Sequence, residues 1–141
     1  MKSNMNKPTP RGIRNNNPLN IRKGQTWLGL SPTQSDTSFC QFRSMELGIR
    51  AACKIIQTYI RKHHLTTVRE IIYRWAPPAD GNDTGAYIRQ VCKMSGYFPE
   101  TCIYADDPQQ LTTLLQSMAY VENGCILDRQ VVYNGVILAL G

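Results

Sequence analysis

The sequence predicts an α+β domain, mainly α: a helical body with a small antiparallel β-hairpin or three-stranded sheet near its N-terminus. Two observations carry this. Between residues 19 and 43 three short runs rich in aromatic and β-branched residues, "LNIR", "TWLGL" and "TSFCQFR", alternate with "KGQ" and "SPTQSD". Such runs punctuated by turn residues are strand and hairpin signals. After Ser44, apolar residues recur at helical spacing between cap and stop residues.

The elements follow in chain order. Residues 1–10, "MKSNMNKPTP", are polar with two prolines and read as a flexible tail. Residues 11–141 read as one domain. A first long helix is expected over Met45–His63, with Ala52, Ile55, Ile56, Tyr59 and Ile60 on one face. His63 and His64 end it and complement its dipole. A second helix starts at Thr67, where Glu70 three residues on makes a capping box, and ends near Trp75 before "APPADGND". A third is capped by Asp83 and stops at Gly96. A fourth opens with Asp107 as cap, Pro108 in first position and Gln110 completing a box, and ends at Gly124. A last helix follows Asp128.

At 141 residues the chain is long enough for one real core and too short for two domains. No apolar run approaches a membrane span. The N-terminus has no apolar h-region, so a cytoplasmic product without a secretory signal is expected. The net charge is +6 and uneven: residues 1–63 carry eleven Lys and Arg against Asp36 and Glu46, whereas residues 64–141 carry five against eight acids. A basic half suits an anionic partner, namely nucleic acid, a membrane surface or an acidic polymer such as peptidoglycan, or it is simply a solvated surface. Five cysteines (40, 53, 92, 102 and 125) match no zinc template. Free thiols are expected, with a Cys92–Cys102 pair open in an oxidising compartment. No metal, phosphate or cofactor site and no Ser/His/Asp pattern is apparent.

Glu122 is the most informative residue. The fourth helix presents Leu111, Leu114, Leu115 and Met118 on its apolar face. Glu122 lies four, seven and eleven residues beyond Met118, Leu115 and Leu111, within that stripe. Desolvation and the helix C-terminus both favour a protonated carboxyl there. A protonated carboxyl is what general-acid cleavage of a glycosidic bond requires. Position alone leaves open a glutamate at a fraying helix end, turned outward before Gly124.

The segment "MAYVENG" resembles the stretch of lytic transglycosylases and goose-type lysozymes in which a core helix ends in the catalytic glutamate. "NNPLNIRKGQTWLGL" is similar to the entry into the hairpin of the glucosaminidase-like branch. "GIRAACKIIQTYI" and "IIYRWAPPADGNDTGAYI" resemble phage virion-associated and secreted lysozyme-like proteins that share "RGIRNNN", "RWAPP" and a closing "ENG". The resemblance spans Arg11 to Gly124. It implies a lysozyme-like fold with Glu122 as catalytic acid. In that superfamily the acid-bearing helix ordinarily precedes the hairpin. Here no acid precedes Asn15, so a circularly permuted order is expected, with Glu122 brought beside Asn15–Asn17 by folding.

Lysozyme-like sites often hold a second carboxylate from the hairpin. Asp36 is the candidate, with a plain turn role as the alternative. Glu46 lies in the first turn of its helix, where a negative charge is favourable anyway. A carboxylate separation of about 5 Å indicates retention and roughly 6.5–9.5 Å inversion. A transglycosylase can act with Glu122 alone. Asn15, Asn16, Asn17 and Asn20 can exchange hydrogen bonds with sugar hydroxyls and N-acetyl groups. Arg11, Arg14 and Arg22 suit the carboxylates of peptide stems. Tyr87 is placed to line the cleft, while Trp27 and Trp75 read as core.

The expected function is cleavage of peptidoglycan glycan strands as a muramidase or lytic transglycosylase. The chain would serve as a phage lysin or as an antibacterial toxin delivered by a secretion apparatus, acting at the cell wall or periplasm. Its expected partners are peptidoglycan and a cognate immunity protein or virion component. A membrane is not expected, and nucleic acid is disfavoured by the lack of interleaved aromatic residues and a basic helix face. The alternative is a virion structural or peptidoglycan-binding protein that keeps the fold without the activity.

Overall fold

The computed structural model describes residues 8–141, so most of the expected N-terminal tail lies outside the described residues. Its helices are α1 (Arg11–Arg14), α2 (Met45–His63), α3 (Val68–Trp75), α4 (Thr84–Ser95), α5 (Pro108–Asn123) and α6 (Arg129–Leu140), with a 3-10 turn at Pro78–Asp80. Local chemistry sets these boundaries. The Ser44 hydroxyl accepts from the Leu47 N–H at the start of α2. Thr67 and Glu70 form the reciprocal capping box of α3. Asp83 and Asp107 cap α4 and α5, and Gly96 and Gly124 end them in the left-handed region, at φ 81° and 73°. Gln110 does not close a box with Asp107. Its side chain accepts from the Tyr104 N–H and donates to the Cys102 carbonyl, pinning the turn before α5.

One core joins the helices. Ile49 and Ile56 of α2, Ile71 and Ile72 of α3, Val91 of α4, Leu111, Leu114, Leu115 and Met118 of α5, and Val132 and Val136 of α6 are all fully buried. α2 lies along α6, and α5 packs between α4 and α6. Gly135 allows the first contact, since a Cβ there would fall 2.6 Å from the Cβ of Ile49.

The expected β-hairpin or sheet does not form. Among the described residues there are only isolated antiparallel bridges, Arg22 with Phe39, Leu30 with Phe42 and Thr67 with Cys102. The three runs lie close together, but side chains take the places of the ladder. Asn17 donates to the carbonyls of Ile21 (3.0 Å) and Cys40 (2.9 Å) and accepts from the Ile21 N–H (2.9 Å). Gln34 donates to the Ser31 and Gln41 carbonyls and accepts from the Gln41 N–H. The Gln41 amide oxygen accepts from the N–H groups of Ser35 and Asp36. Polar side chains that bond the backbone compete with regular pairing, and here they win. The molecule is mainly α, as expected, with an irregular polar loop region where a sheet was expected. The sequence signals also omit α1, a single turn with no side-chain cap.

Candidate functional site

Glu122 occupies the last turn of α5 and is half-buried. It does not turn outward. Its Oε1 accepts from Asn20 Nδ2 at 2.9 Å and its Oε2 accepts from the Tyr87 hydroxyl at 2.9 Å. Three distant segments therefore meet on one carboxylate: the loop after α1, the first turns of α4, and the end of α5. Asn20 reaches it from a left-handed backbone, φ 54°, which asparagine tolerates better than most residues. Tyr87 is buried. Burial, then the neighbouring Glu122 charge and hydrogen bond, push its hydroxyl well above the ordinary tyrosine range, so it stays a proton donor to the carboxylate.

The neighbouring Asn123 fastens the same junction. Its amide donates to the Pro18 carbonyl at 2.8 Å and to the Ala119 carbonyl at 2.9 Å. The side-chain oxygens of Asn20 and Asn123 are buried and lack hydrogen-bond partners. Both face Gly12 of α1. A Cβ there would lie 2.6 Å from Asn123 Oδ1, 2.9 Å from the Asn17 carbonyl and 3.0 Å from Asn20 Oδ1. Only glycine lets α1 approach so closely, and its Cα hydrogens are left as the weak donors to this cluster of oxygens.

The run of asparagines divides by role. Asn15 donates to Asp36 Oδ2 at 3.0 Å and accepts from Gln41. Asn16 has φ 50° and donates to the Phe42 carbonyl. Asn17 is fully buried and takes part in the three backbone bonds described above. These three shape the loop, and Asn20 is the one that meets Glu122.

Asp36 serves the loop as well. It accepts two bonds from Arg11 at 2.6 and 2.7 Å, one from Asn15, and one from each of the Ser38 and Phe39 N–H groups. Arg11, then Asn15 and the two backbone donors, hold its carboxyl well below the usual carboxylate range. The guanidinium of Arg11 is raised in turn by that bond. No hydrogen bond links Asp36 to Glu122. A polar hollow of about 530 Å³ opens here, lined by Arg14, Asn15, Asp36 and Gln41 among others, and Glu122 is not one of its walls. α1 lies between the two places: Arg11 and Arg14 face the hollow while Gly12 abuts Asn20 and Asn123. Arg22 stacks on Phe39 at 5.0 Å, beside Arg11 at 4.6 Å.

Sequence reasoning names Glu122, Asn20 and Tyr87 but does not join Tyr87 to Glu122, and it passes over Gly12, Gln41 and Asn123. The "ENG" triplet was the available signal for Asn123. Trp75 packs edge-on to Tyr59, and Trp27 lies against the core. All five cysteines are free thiols, with Cys40 and Cys53 buried. Among the described residues no three His, Cys, Asp or Glu side chains converge as metal ligands, and no helix is long and apolar enough to cross a membrane.

No family model matches the chain. Over 118 residues it is 37% identical to Protein P5 of Pseudoalteromonas phage PM2, an alignment that takes in 81% of this chain and 71% of the phage protein. With that identity over most of both sequences, this chain belongs to the family of the phage Protein P5.

Proposed function

We propose that the protein cleaves peptidoglycan glycan strands, with Glu122 as the general acid and base. One observation carries the reading: a glutamate on the core-facing stripe of α5 is held by Asn20 and Tyr87 in a fixed position rather than released to solvent. It agrees with the resemblance of "MAYVENG" to the acid-bearing helix end of lytic transglycosylases and goose-type lysozymes. It also agrees with a permuted order, because the loop that precedes Glu122 by 102 residues meets it in space.

In this mechanism the Glu122 carboxyl gives its proton to the glycosidic oxygen as the C–O bond breaks. The resulting carboxylate then takes a proton from the attacking hydroxyl. If the attacker is the substrate's own 6-hydroxyl, an anhydro ring closes; if it is water, a reducing end forms. Asn20 and Tyr87 fix the carboxylate oxygens, and each oxygen keeps a second lone pair for substrate. Asp36, saturated by five donors, has no step in this scheme. Arg14 and the rim of the polar hollow suit peptide-stem carboxylates.

Glu122→Gln is expected to abolish muropeptide release from purified sacculi while the far-UV dichroism stays native. Undiminished release would overturn the assignment. Mass spectrometry of the wild-type digest separates anhydro products from reducing ends.

A second reading has its own support. Both oxygens of Glu122 already bond to the chain itself, as they would in a purely structural tie within a virion component. Intact sacculi after prolonged incubation with the wild-type protein would favour it.

A further inference from the structure

We infer that the outer face of α2 is a second wall-binding surface that takes the carboxylates of peptidoglycan peptide stems, an inference that rests on the function proposed above. Lys54, Thr58, Arg61 and Lys62 fall at i, i+4, i+7 and i+8 and so share one side of the helix. With Gln57 they line a hollow of about 320 Å³. None of the three cations has an acidic partner within 4 Å among the described residues, where the ion pairs are Arg11–Asp36 and Arg69–Glu100. Arg50 lies one turn before Lys54 and extends the charge along the helix.

This face is far from Glu122. Gln57 donates to the Ala105 carbonyl at 2.8 Å, beside the start of α5. Glu122 lies near the other end of α5, about 20 Å along the axis from Pro108 at the usual helical rise. A ligand on α2 would therefore leave the Glu122 site open.

Three classes of anionic partner can be weighed. A membrane surface rewards exposed apolar side chains between the cations, and none of the large exposed apolar residues lies on α2. Single-stranded nucleic acid rewards stacking rings, and the hollow has no aromatic wall. Peptide stems offer what the face can use: separate carboxylates, repeated along the polymer on which the proposed reaction acts, for Lys and Arg to pair with. Such a surface would hold the protein on the wall between cleavage events.

The test is co-sedimentation with purified sacculi, with Glu122→Gln added to every protein so that the wall stays intact during the assay. Arg61→Glu/Lys62→Glu changes two exposed residues, and Arg89→Glu/Lys93→Glu makes the same charge change on α4 as a control. The inference expects the α2 pair to weaken sacculus binding about tenfold, from two exposed ion pairs, and the α4 pair to leave it near wild type. It also expects intact sacculi whose stem carboxylates have been capped as amides by carbodiimide coupling to bind the wild-type protein at least as weakly as untreated sacculi bind the α2 variant. Cleavage of short soluble glycan fragments should be unchanged by the α2 pair. The inference is overturned if the α2 pair binds like wild type, if both pairs weaken binding equally, if amide-capped sacculi bind as well as untreated ones, or if the α2 pair loses duplex DNA binding while sacculus binding is retained. The milder Arg61→Gln/Lys62→Gln keeps the test valid should the double reversal fail to fold. Because binding is read without turnover, a protein that binds through α2 yet never cleaves would refute the proposed chemistry and not the surface.

Discussion

The hydroxyl of Tyr87 and the carboxylate of Glu122 form a pair within the core boundary, and the pair has measurable consequences. Tyr87→Phe removes the donor to Oε2 and is expected to lower stability by about 1–3 kcal/mol in urea titrations. It also alters the alkaline response. In the folded protein Tyr87 loses its proton well above the ordinary value, whereas in the unfolded chain it does so near pH ~10. Its contribution is therefore complete below that pH and declines above it, as the unfolded chain ionises first. The variant should lose less stability than the wild type between pH 9 and pH 11 (roughly spanning that value). Asp36 behaves in the opposite sense. Its folded value is depressed, so its contribution is present above pH ~4 and is lost on acidification. Asp36→Asn should be less stable at neutral pH, and its melting temperature should fall less than the wild type's on going to acid. The core-facing place of Glu122 was legible from its spacing to Leu111, Leu115 and Met118. Its two partners were not, because Asn20 and Tyr87 are 102 and 35 residues away in the chain.

At the scale of elements, the loop region from Asn15 to Arg43 shows how amide side chains can displace a sheet. Asn17 is fully buried and serves three backbone groups, so its truncation strands all three. Asn17→Ala is expected to cost about 3 kcal/mol or more in equilibrium unfolding. Asn17→Asp keeps the acceptor and loses the donors, and should rescue little. Strand propensity in "TSFCQFR" was real at the level of single bridges. The aromatic and β-branched runs that suggested a ladder could not reveal that Asn17, Gln34, Asp36 and Gln41 would occupy the bonding groups. The helices were more readable. Thr67 with Glu70, Asp83 and Asp107 act on N–H groups three residues away, so their effect is written within a few letters of sequence.

Across the whole molecule, glycines mark where distant parts meet. Gly48 of α2 faces the carbonyl of Asn16, and a Cβ there would fall 1.9 Å from that oxygen. Gly48→Ala must push the loop off the helix. It is expected to destabilise by about 2–3 kcal/mol, lowering the melting temperature by roughly 5–10 °C. If the site depends on this docking, the same variant should reduce any lytic activity more steeply than stability, since Asn20 hangs on the displaced loop. The +6 charge follows the same division between sequence and fold. Composition gave a basic N-terminal half, and the helix then gathered Lys54, Arg61 and Lys62 on one open side while Arg11 was consumed by Asp36.

By itself the sequence determined the five longer helices, their N-cap and stop residues, and the place of the carboxylate at "ENG" on the core-facing stripe, because each depends on neighbours within a turn or two. Only tertiary structure decided what the opening "RGIRNNNPLNIR" does. Folding spent Asn15, Asn16 and Asn17 on the loop's own backbone, locked Asp36 to Arg11, and left Asn20 alone to meet Glu122. Those outcomes depend on which groups come within hydrogen-bonding distance across the whole chain, and spacing along the sequence carries no information about that distance.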